Sequence, residues 1–358
     1  MKTNDDKWTD RHTWNEILSQ TDVWKRMFDD LRHSTAVKRL ISATNDRREW
    51  LFVGGGTSFY LAEAAALSWT LLTNLPARAI PASEILLFPD LLAPAGNQLQ
   101  AVVISRSGRT SEAVLAAKVL SGKLRIATLG ITCAKNSELQ QICSESIVLS
   151  VADEHSTVMT RSFTSMLLCL QFLAAKRAGK MQFIEQLEAM AEVLAPRIRA
   201  IAAEVETFVR KKMFEDYVFL GQGPFHGIAR EAALKVMEMS CSYSQVFHTL
   251  EFRHGPKAIV KPATCLTFFL SETAWKEEAE VLSEMKELGG ATVAICNRAG
   301  GAIRRASDLV IEMNLATDEL ALLAPYTVPC QLMGFFSGLR KGLNPDEPKN
   351  LTRVVILN

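Results

Sequence analysis

Three short stretches of the sequence carry side chains whose types and spacing could do chemistry. The first is SRSGRT, residues 105 to 110, between the apolar run QAVVI and the stretch SEAVLAAKVL. A helix start leaves backbone N–H groups unpaired and carries the positive end of the helix dipole. Gly108 would let the backbone approach a ligand closely. Ser105, Ser107 and Thr110 add hydroxyl donors, so the turn suits an anion such as phosphate without a Walker lysine. The same residues also suit a capped strand-to-helix turn, because serine and threonine are favoured N-caps. Capping needs one hydroxyl, and here there are three.

The second stretch is REAALKVMEMS, where Glu231, Lys235 and Glu238 fall at i, i+4 and i+7 and share one helix face. Such spacing also serves a solvated face held by ion pairs. The neighbours Ala232, Ala233, Leu234, Val236 and Met237 leave little polar stripe for a surface helix. Two carboxylates enclosed with one ammonium would tune one another's proton affinity. The third stretch is EFRHGPKA, in which His254 precedes Gly-Pro between Arg253 and Lys257. That is an ordered turn with a titratable ring, and equally an ordinary turn histidine. GGGTS, residues 54 to 58, has G-x-G without the third glycine or a well-spaced acidic residue. It does not read as a dinucleotide fingerprint.

The elements around these stretches must hold them in place. The first 45 residues read as helical, with Trp14, Ile17, Leu18, Val23, Met27 and Leu31 near one face. Strands are expected at EWLFVG, LQAVVIS, LRIATLGIT, SIVLS, DYVFLGQG, TCLTFFLS, GATVAIC and DLVIEMN. Amphipathic helices fall between them, and residues 160 to 210 are mostly helical. Apolar strands alternating with helices predict an α/β protein with parallel sheets covered on both faces.

The pattern also repeats. FVGGGTSFYLAEAAAL (52–67) and FLGQGPFHGIAREAAL (219–234) align without gaps at an offset of 167. Phe52/Phe219, Gly54/Gly221, Gly56/Gly223, Ala62/Ala229, Ala65/Ala232, Ala66/Ala233 and Leu67/Leu234 are identical. That period implies a duplicated domain, not a solenoid. Ser105 corresponds to Ser271 and Glu112 to Glu278, but SETAWKEE has no glycine and no second serine in register. The hydroxyl-rich turn therefore exists once.

Composition excludes several classes. The 358 residues are 48% hydrophobic and 22% charged, which is globular and long enough for two domains. A net charge of +1 provides no broad field toward nucleic acid or an anionic membrane. MKTNDDKWTD lacks the apolar core of a secretory signal. No run approaches the roughly 20 apolar residues that span a bilayer, and SFTSMLLCLQFLAA reads as a buried helix. Seven scattered cysteines without a C-x-x-C pair suggest reduced thiols in a cytoplasm, and neither a disulfide framework nor a metal site.

Together GGGTS, SRSGRT, ALKVMEMS, FRHGP and GLNPDEPKNLTRVV resemble, in order, the sugar isomerase (SIS) family of phosphosugar proteins. The resemblance covers roughly residues 45 to 358. It is similar to the isomerase half of glucosamine-6-phosphate synthase, and to the branch of tagatose-6-phosphate ketose/aldose isomerases and galactosamine-6-phosphate deaminases. After the helical segment over 1–45, it implies a first SIS domain over 46–208, a second over 209–345, and a tail over 346–358 that reaches the active site. With no N-terminal cysteine nucleophile, ammonia from glutamine is not expected.

The resemblance further implies a small-molecule sugar phosphate as ligand and no cofactor. The phosphate would sit on Ser105, Ser107 and Thr110 beside Thr57 and Ser58, with charge from Arg106 and Arg109, and with Thr157 also binding substrate. Glu238 would move a proton between C1 and C2, oriented by Lys235 and Glu231. His254, supplied by the partner subunit of a homodimer, would open the ring. Two positions depart from the synthases: Met159 stands where they carry serine, and Arg353 where they carry lysine. Arginine does not readily give up a proton, so Arg353 is expected to clamp substrate oxygens. The expected activity is that of an aldose–ketose isomerase or deaminase on a 6-phosphorylated aminohexose. A deglycase of a sugar-phosphate adduct and a non-catalytic sugar-phosphate sensor are the alternatives.

Overall fold

The computed structural model describes residues 8–43 and 49–357. The expected boundary between residues 45 and 46 lies outside the described residues. In chain order the first elements are α1 (His12–Leu18), α2 (Gln20–His33), α3 (Thr35–Ala43), β1 (Glu49–Gly54), α4 (Thr57–Thr73), β2 (Ala77–Pro81), α5 (Ala82–Leu87), β3 (Leu99–Ile104), α6 (Ser111–Lys118), β4 (Ala127–Thr132), α7 (Glu138–Ile142), β5 (Glu145–Val148) and α8 (Arg161–Ala178). They are followed by α9 (Met181–Lys211), β6 (Asp216–Gly221), α10 (Pro224–Ser240), β7 (Tyr243–Phe247), β8 (Thr264–Phe269), α11 (Trp275–Glu287), β9 (Ala291–Cys296), α12 (Gly301–Ala306), β10 (Leu309–Glu312) and α13 (Leu323–Arg340).

Two compact units result. One, the first-sheet unit, comprises Asp22–Glu154, Arg161–Glu188 and the described residues from Thr352. The other, the second-sheet unit, comprises the described residues up to Thr21, His155–Thr160 and Ala189–Leu351. The first sheet has the order β2-β1-β3-β4-β5 and the second β10-β9-β8-β6-β7, and every pairing is parallel. The central strands β3, β8 and β9 are buried at every residue, as a sheet covered on both faces requires.

Strand order decides where a ligand could sit. In the first sheet β1 leads to β2 on one side, while its other neighbour is β3. This reversal opens a crevice at the carboxyl ends of β1 and β3. Those ends carry GGGTS and SRSGRT, and Val53 pairs with Val103, so the two turns stand side by side. The second sheet reverses in the same way between β6 and β8.

Strands β2 and β7 and helix α13 are among the elements that the sequence reading did not name. Strands β2 and β7 lie on sheet edges, are only partly buried, and lack a continuous apolar run. Helix α13 contains Pro325 and Pro329, which read as breakers. Among the described residues, the 319–340 stretch is the one helix apolar and long enough by composition to cross a membrane, and its most apolar 18-residue window is buried. Helix α8 is the buried apolar helix expected from SFTSMLLCLQFLAA.

Candidate functional site

The serine turn is built around Gly108, which has a φ of 58°. A Cβ there would stand 2.3 Å from Ser137 Oγ and 2.9 Å from Thr132 Oγ1, so only glycine fits. Thr132 Oγ1 donates to the Arg106 carbonyl, and Leu139 N–H to that of Gly108, which pins the turn to β4 and α7. Thr110 is the N-cap residue of α6, yet its side chain makes no capping bond. Capping is therefore not what the hydroxyls do. Ser105 Oγ accepts the Gly108 N–H at 3.1 Å, and Ser107 Oγ accepts the Arg109 N–H at 3.2 Å. A hydroxyl that accepts still has its own proton to donate; that of Ser105 faces Thr110 Oγ1 at 3.5 Å, while that of Ser107 suits an anion. Beside it, Gly56 (φ 54°) turns the chain into α4, placing Thr57 and Ser58 at the helix start.

The two arginines of the turn differ. Arg109 is exposed, whereas Arg106 is 5% exposed and turned inward. Arg106 Nη1 lies 3.7 Å from Glu154 Oε2, and its Nη2 donates to the Arg353 carbonyl at 2.9 Å. Glu154 also accepts from the Ser162 hydroxyl. Arg353 in turn pairs with Asp153 Oδ1 at 2.8 Å. Val355 O accepts the Ser111 N–H, and the Leu357 N–H donates to Ser111 Oγ, so the final residues lie along the start of α6. Arg106 thus fastens the C-terminal segment and the 153–154 segment to the turn.

Glu231, Lys235 and Glu238 lie in the second-sheet unit. Gly223 (φ 52°) starts α10 after β6. Glu231 is fully buried and Lys235 is 1% exposed, while the Glu238 side chain keeps 18% of its surface. Lys235 Nζ lies 2.5 Å from Glu238 Oε2 and 3.3 Å from Glu231 Oε1. Burial alone would push the ammonium down; Glu231 and Glu238 outweigh it and hold its pKa above the ordinary lysine value. Helix α13 fixes this stretch from behind. A Cβ on Gly334 would meet Lys235 O at 2.7 Å, and one on Gly338 would meet Met239 O at 2.2 Å. The two backbones touch there because both residues are glycine. The set is thus a buried cation between two carboxylates, of which Glu238 alone reaches solvent.

His254 follows a short helical turn, is exposed, and precedes Gly255 with φ 125°. Its loop is anchored by the buried Phe252 and by Arg253 and Lys257, which share Glu284 at 2.8 and 2.5 Å. These contacts hold the loop on α11 and leave the imidazole facing outward. Thr157 is half-buried in the segment 155–160, where its N–H donates to Asp346 O.

Residues 45–176 and 216–335 each match the family model of the SIS domain. The chain belongs to the SIS domain family. A solved glucosamine-6-phosphate deaminase from Thermotoga maritima is similar to it at 30% identity and a TM-score of 0.79, covering 97% of this chain and 100% of that one. The tagatose-6-phosphate ketose/aldose isomerase of Escherichia coli shares the fold at TM-score 0.82 and 21% identity, over 97% and 96% of the two chains. Among curated proteins, the D-galactosamine-6-phosphate deaminase AgaS of Shewanella sp. strain ANA-3 is 25% identical over 353 residues, 94% of this chain and 87% of the relative. The isomerizing glutamine–fructose-6-phosphate aminotransferase of Bradyrhizobium diazoefficiens is 27% identical over 316 residues, 84% of this chain. The chain spans about half the length of that relative, 50%.

The two SIS domains differ at these stretches. Helices α4 and α10 have the same 17-residue length and start after glycines of nearly equal φ. At the register of Glu231, Lys235 and Glu238 the first SIS domain has Ala64, Ser68 and Leu71. This charged set therefore exists once, in the second. The counterpart of the serine turn in the second SIS domain is filled by the chain itself. Glu278 Oε2 accepts the Ser271 N–H at 2.7 Å and its hydroxyl at 2.9 Å. Glu319 Oε2 accepts the N–H groups of Glu272 and Thr273 at 2.9 and 3.0 Å. Burial pushes the Glu278 carboxyl up to about 7 against its bonds to Ser271. Sequence reasoning missed Glu154, Glu319 and Glu278 as fixed partners, because each meets its partner through the fold and not through local spacing.

Proposed function

We propose that the chain is an enzyme acting on 6-phosphorylated aminohexoses, as a deaminase or aldose–ketose isomerase. The observation that carries this is the buried Glu231–Lys235–Glu238 set with only Glu238 open to solvent. A sensor has no need of such a set, and burying two carboxylates around one ammonium is costly. The similarity to two amino-sugar-phosphate deaminases, one over nearly the full length of both chains, supports the same class.

In this reading the serine turn, with Ser105, Ser107 and Thr110, takes the phosphate, and Thr57 and Ser58 assist from the neighbouring turn. Thr157 meets the sugar. Glu238 removes the C2 proton of the open-chain aminosugar and delivers it to C1 through an enolamine. The resulting C2 imine adds water and releases ammonia, leaving the ketose phosphate. With a hydroxyl in place of the amine, the same transfer through an enediol is an isomerisation. Lys235 holds Glu238 in position, and Glu231 keeps Lys235 charged. The exposed His254 is presented to the partner subunit of a homodimer, where it assists ring opening. The tail from residue 346 brings Arg353 to the substrate as a fixed positive charge; it exchanges Asp153 for substrate oxygens. Seven free cysteines, six of them buried, support a reducing, cytoplasmic setting.

The test is to incubate the purified protein with galactosamine 6-phosphate, glucosamine 6-phosphate and the matching hexose 6-phosphates, measuring ammonia and ketose. Release of both from an aminohexose 6-phosphate is expected. Tight binding of these sugars with neither product would favour a sensor.

A further inference from the structure

The proton chemistry leaves unexplained a buried carboxylate far from it in sequence. Glu16 on α1 is 3% exposed. Its Oε1 accepts the His155 N–H at 2.5 Å, and its two oxygens each lie 3.4 Å from the Ser156 nitrogen. Its Oε2 stands 2.5 Å from Ser156 Oγ, whose single proton is shared with the Val158 carbonyl at 2.9 Å. One carboxylate thus gathers two successive backbone N–H groups and a hydroxyl of a loop with no regular structure of its own. A carboxylate is the side chain for this task, because it offers about four acceptor sites and no donor.

The rest of the loop is held from the same side. Thr157 N–H donates to Asp346 O at 3.3 Å, and the Asp346 carboxylate accepts the Thr13 and His12 N–H groups at 2.7 and 3.1 Å. Asp346 thereby caps the start of α1 from the far end of the chain. Gln331 Nε2 donates to Thr160 O, and its Oε1 accepts from Gln20. Trp14 stacks on Phe335 with ring centroids 5.6 Å apart, which seats α1 on α13. Residues 155–160 are therefore clamped at both ends and at Thr157.

We propose that Glu16 is a positioning residue, which holds the 155–158 loop so that Thr157 meets the sugar of a bound aminohexose 6-phosphate. The inference rests on the reading of Thr157 as a sugar contact. It predicts a split between two ligands. Sugar recognition depends on the 155–158 loop, whereas phosphate recognition depends on the serine turn.

The experiment is calorimetric titration of wild type, Glu16→Gln, Ser156→Ala and Thr157→Ala with galactosamine 6-phosphate, glucosamine 6-phosphate and inorganic phosphate. The glutamine would turn an amide donor toward donors, so Glu16→Gln should weaken the preferred sugar phosphate about tenfold and inorganic phosphate by less than about twofold. Ser156→Ala, which keeps the carboxylate and both N–H bonds, should weaken the sugar phosphate less and leave inorganic phosphate alone; it also carries the test if Glu16→Gln does not fold. The double variant Glu16→Gln/Thr157→Ala should lose less than the two single losses combined. Equal weakening of all ligands by Glu16→Gln, or an effect of Thr157→Ala with none of Glu16→Gln, overturns the positioning role. A silent Thr157→Ala overturns the underlying reading of Thr157 instead.

Discussion

Replacing Lys235 with methionine removes the cation and keeps much of the volume. Two carboxylates stay behind, at 2.5 and 3.3 Å from the missing ammonium. Glu238 keeps 18% of its surface and can turn toward water, but Glu231 is fully buried and cannot. The cost is set by Glu231. Breaking a buried pair from one side typically costs about 3–5 kcal/mol, because the remaining charge is uncompensated. The lower end is expected here, since one of the two carboxylates is rehydrated. The assay is urea unfolding of wild type and Lys235→Met at pH 8, read by tryptophan fluorescence. A deficit near 3 kcal/mol is the expected result. A variant as stable as wild type would refute the reasoning.

Three further outcomes follow from the same geometry. Ser107→Ala should weaken a sugar phosphate by about 1–2 kcal/mol while leaving the unphosphorylated sugar's weak binding unchanged, as titration of both would show. Glu278→Gln should be more stable than wild type above neutral pH. The wild-type carboxyl, at about 7 in the fold, contributes stability that is complete below its unfolded value and lost as pH rises through 7, by up to about 3 kcal/mol; thermal melts of both proteins at pH 5 and 8.5 read the difference. Homo-oligomers of Glu238→Gln and of His254→Ala should each be inactive, and mixing them with subunit exchange should recover part of the activity if His254 serves its neighbour.

Local pattern made much of this fold legible. Buried parallel strands are apolar throughout, so β3, β8 and β9 stand out in the sequence. The duplication survives in α4 and α10 because glycines 56 and 223 must turn the chain with positive φ in both halves. Glu231, Lys235 and Glu238 were legible because their apolar neighbours left no surface for them. What was hidden depends on long-range contacts. Nothing near Arg106 in the sequence says that it turns inward to Glu154. Glu16 meets Ser156 across 140 residues, and Asp346 meets Thr13 across 333. Edge strands β2 and β7 bury too little to show a pattern, and the prolines of α13 conceal a helix that packing enforces.

Solvent exchange reads the proposed role of Glu238 most directly. Wild type and Glu238→Gln are each incubated in heavy water with an aminohexose 6-phosphate that titration has shown to bind, and deuterium at C1 and C2 is followed by NMR. Glutamine keeps the shape and the bond to Lys235 but cannot take a proton. Wild type should introduce deuterium, and the variant should do so slower by roughly 10²–10⁴-fold with phosphate binding intact. Exchange by the variant at the wild-type rate would contradict the assignment of Glu238 as the base.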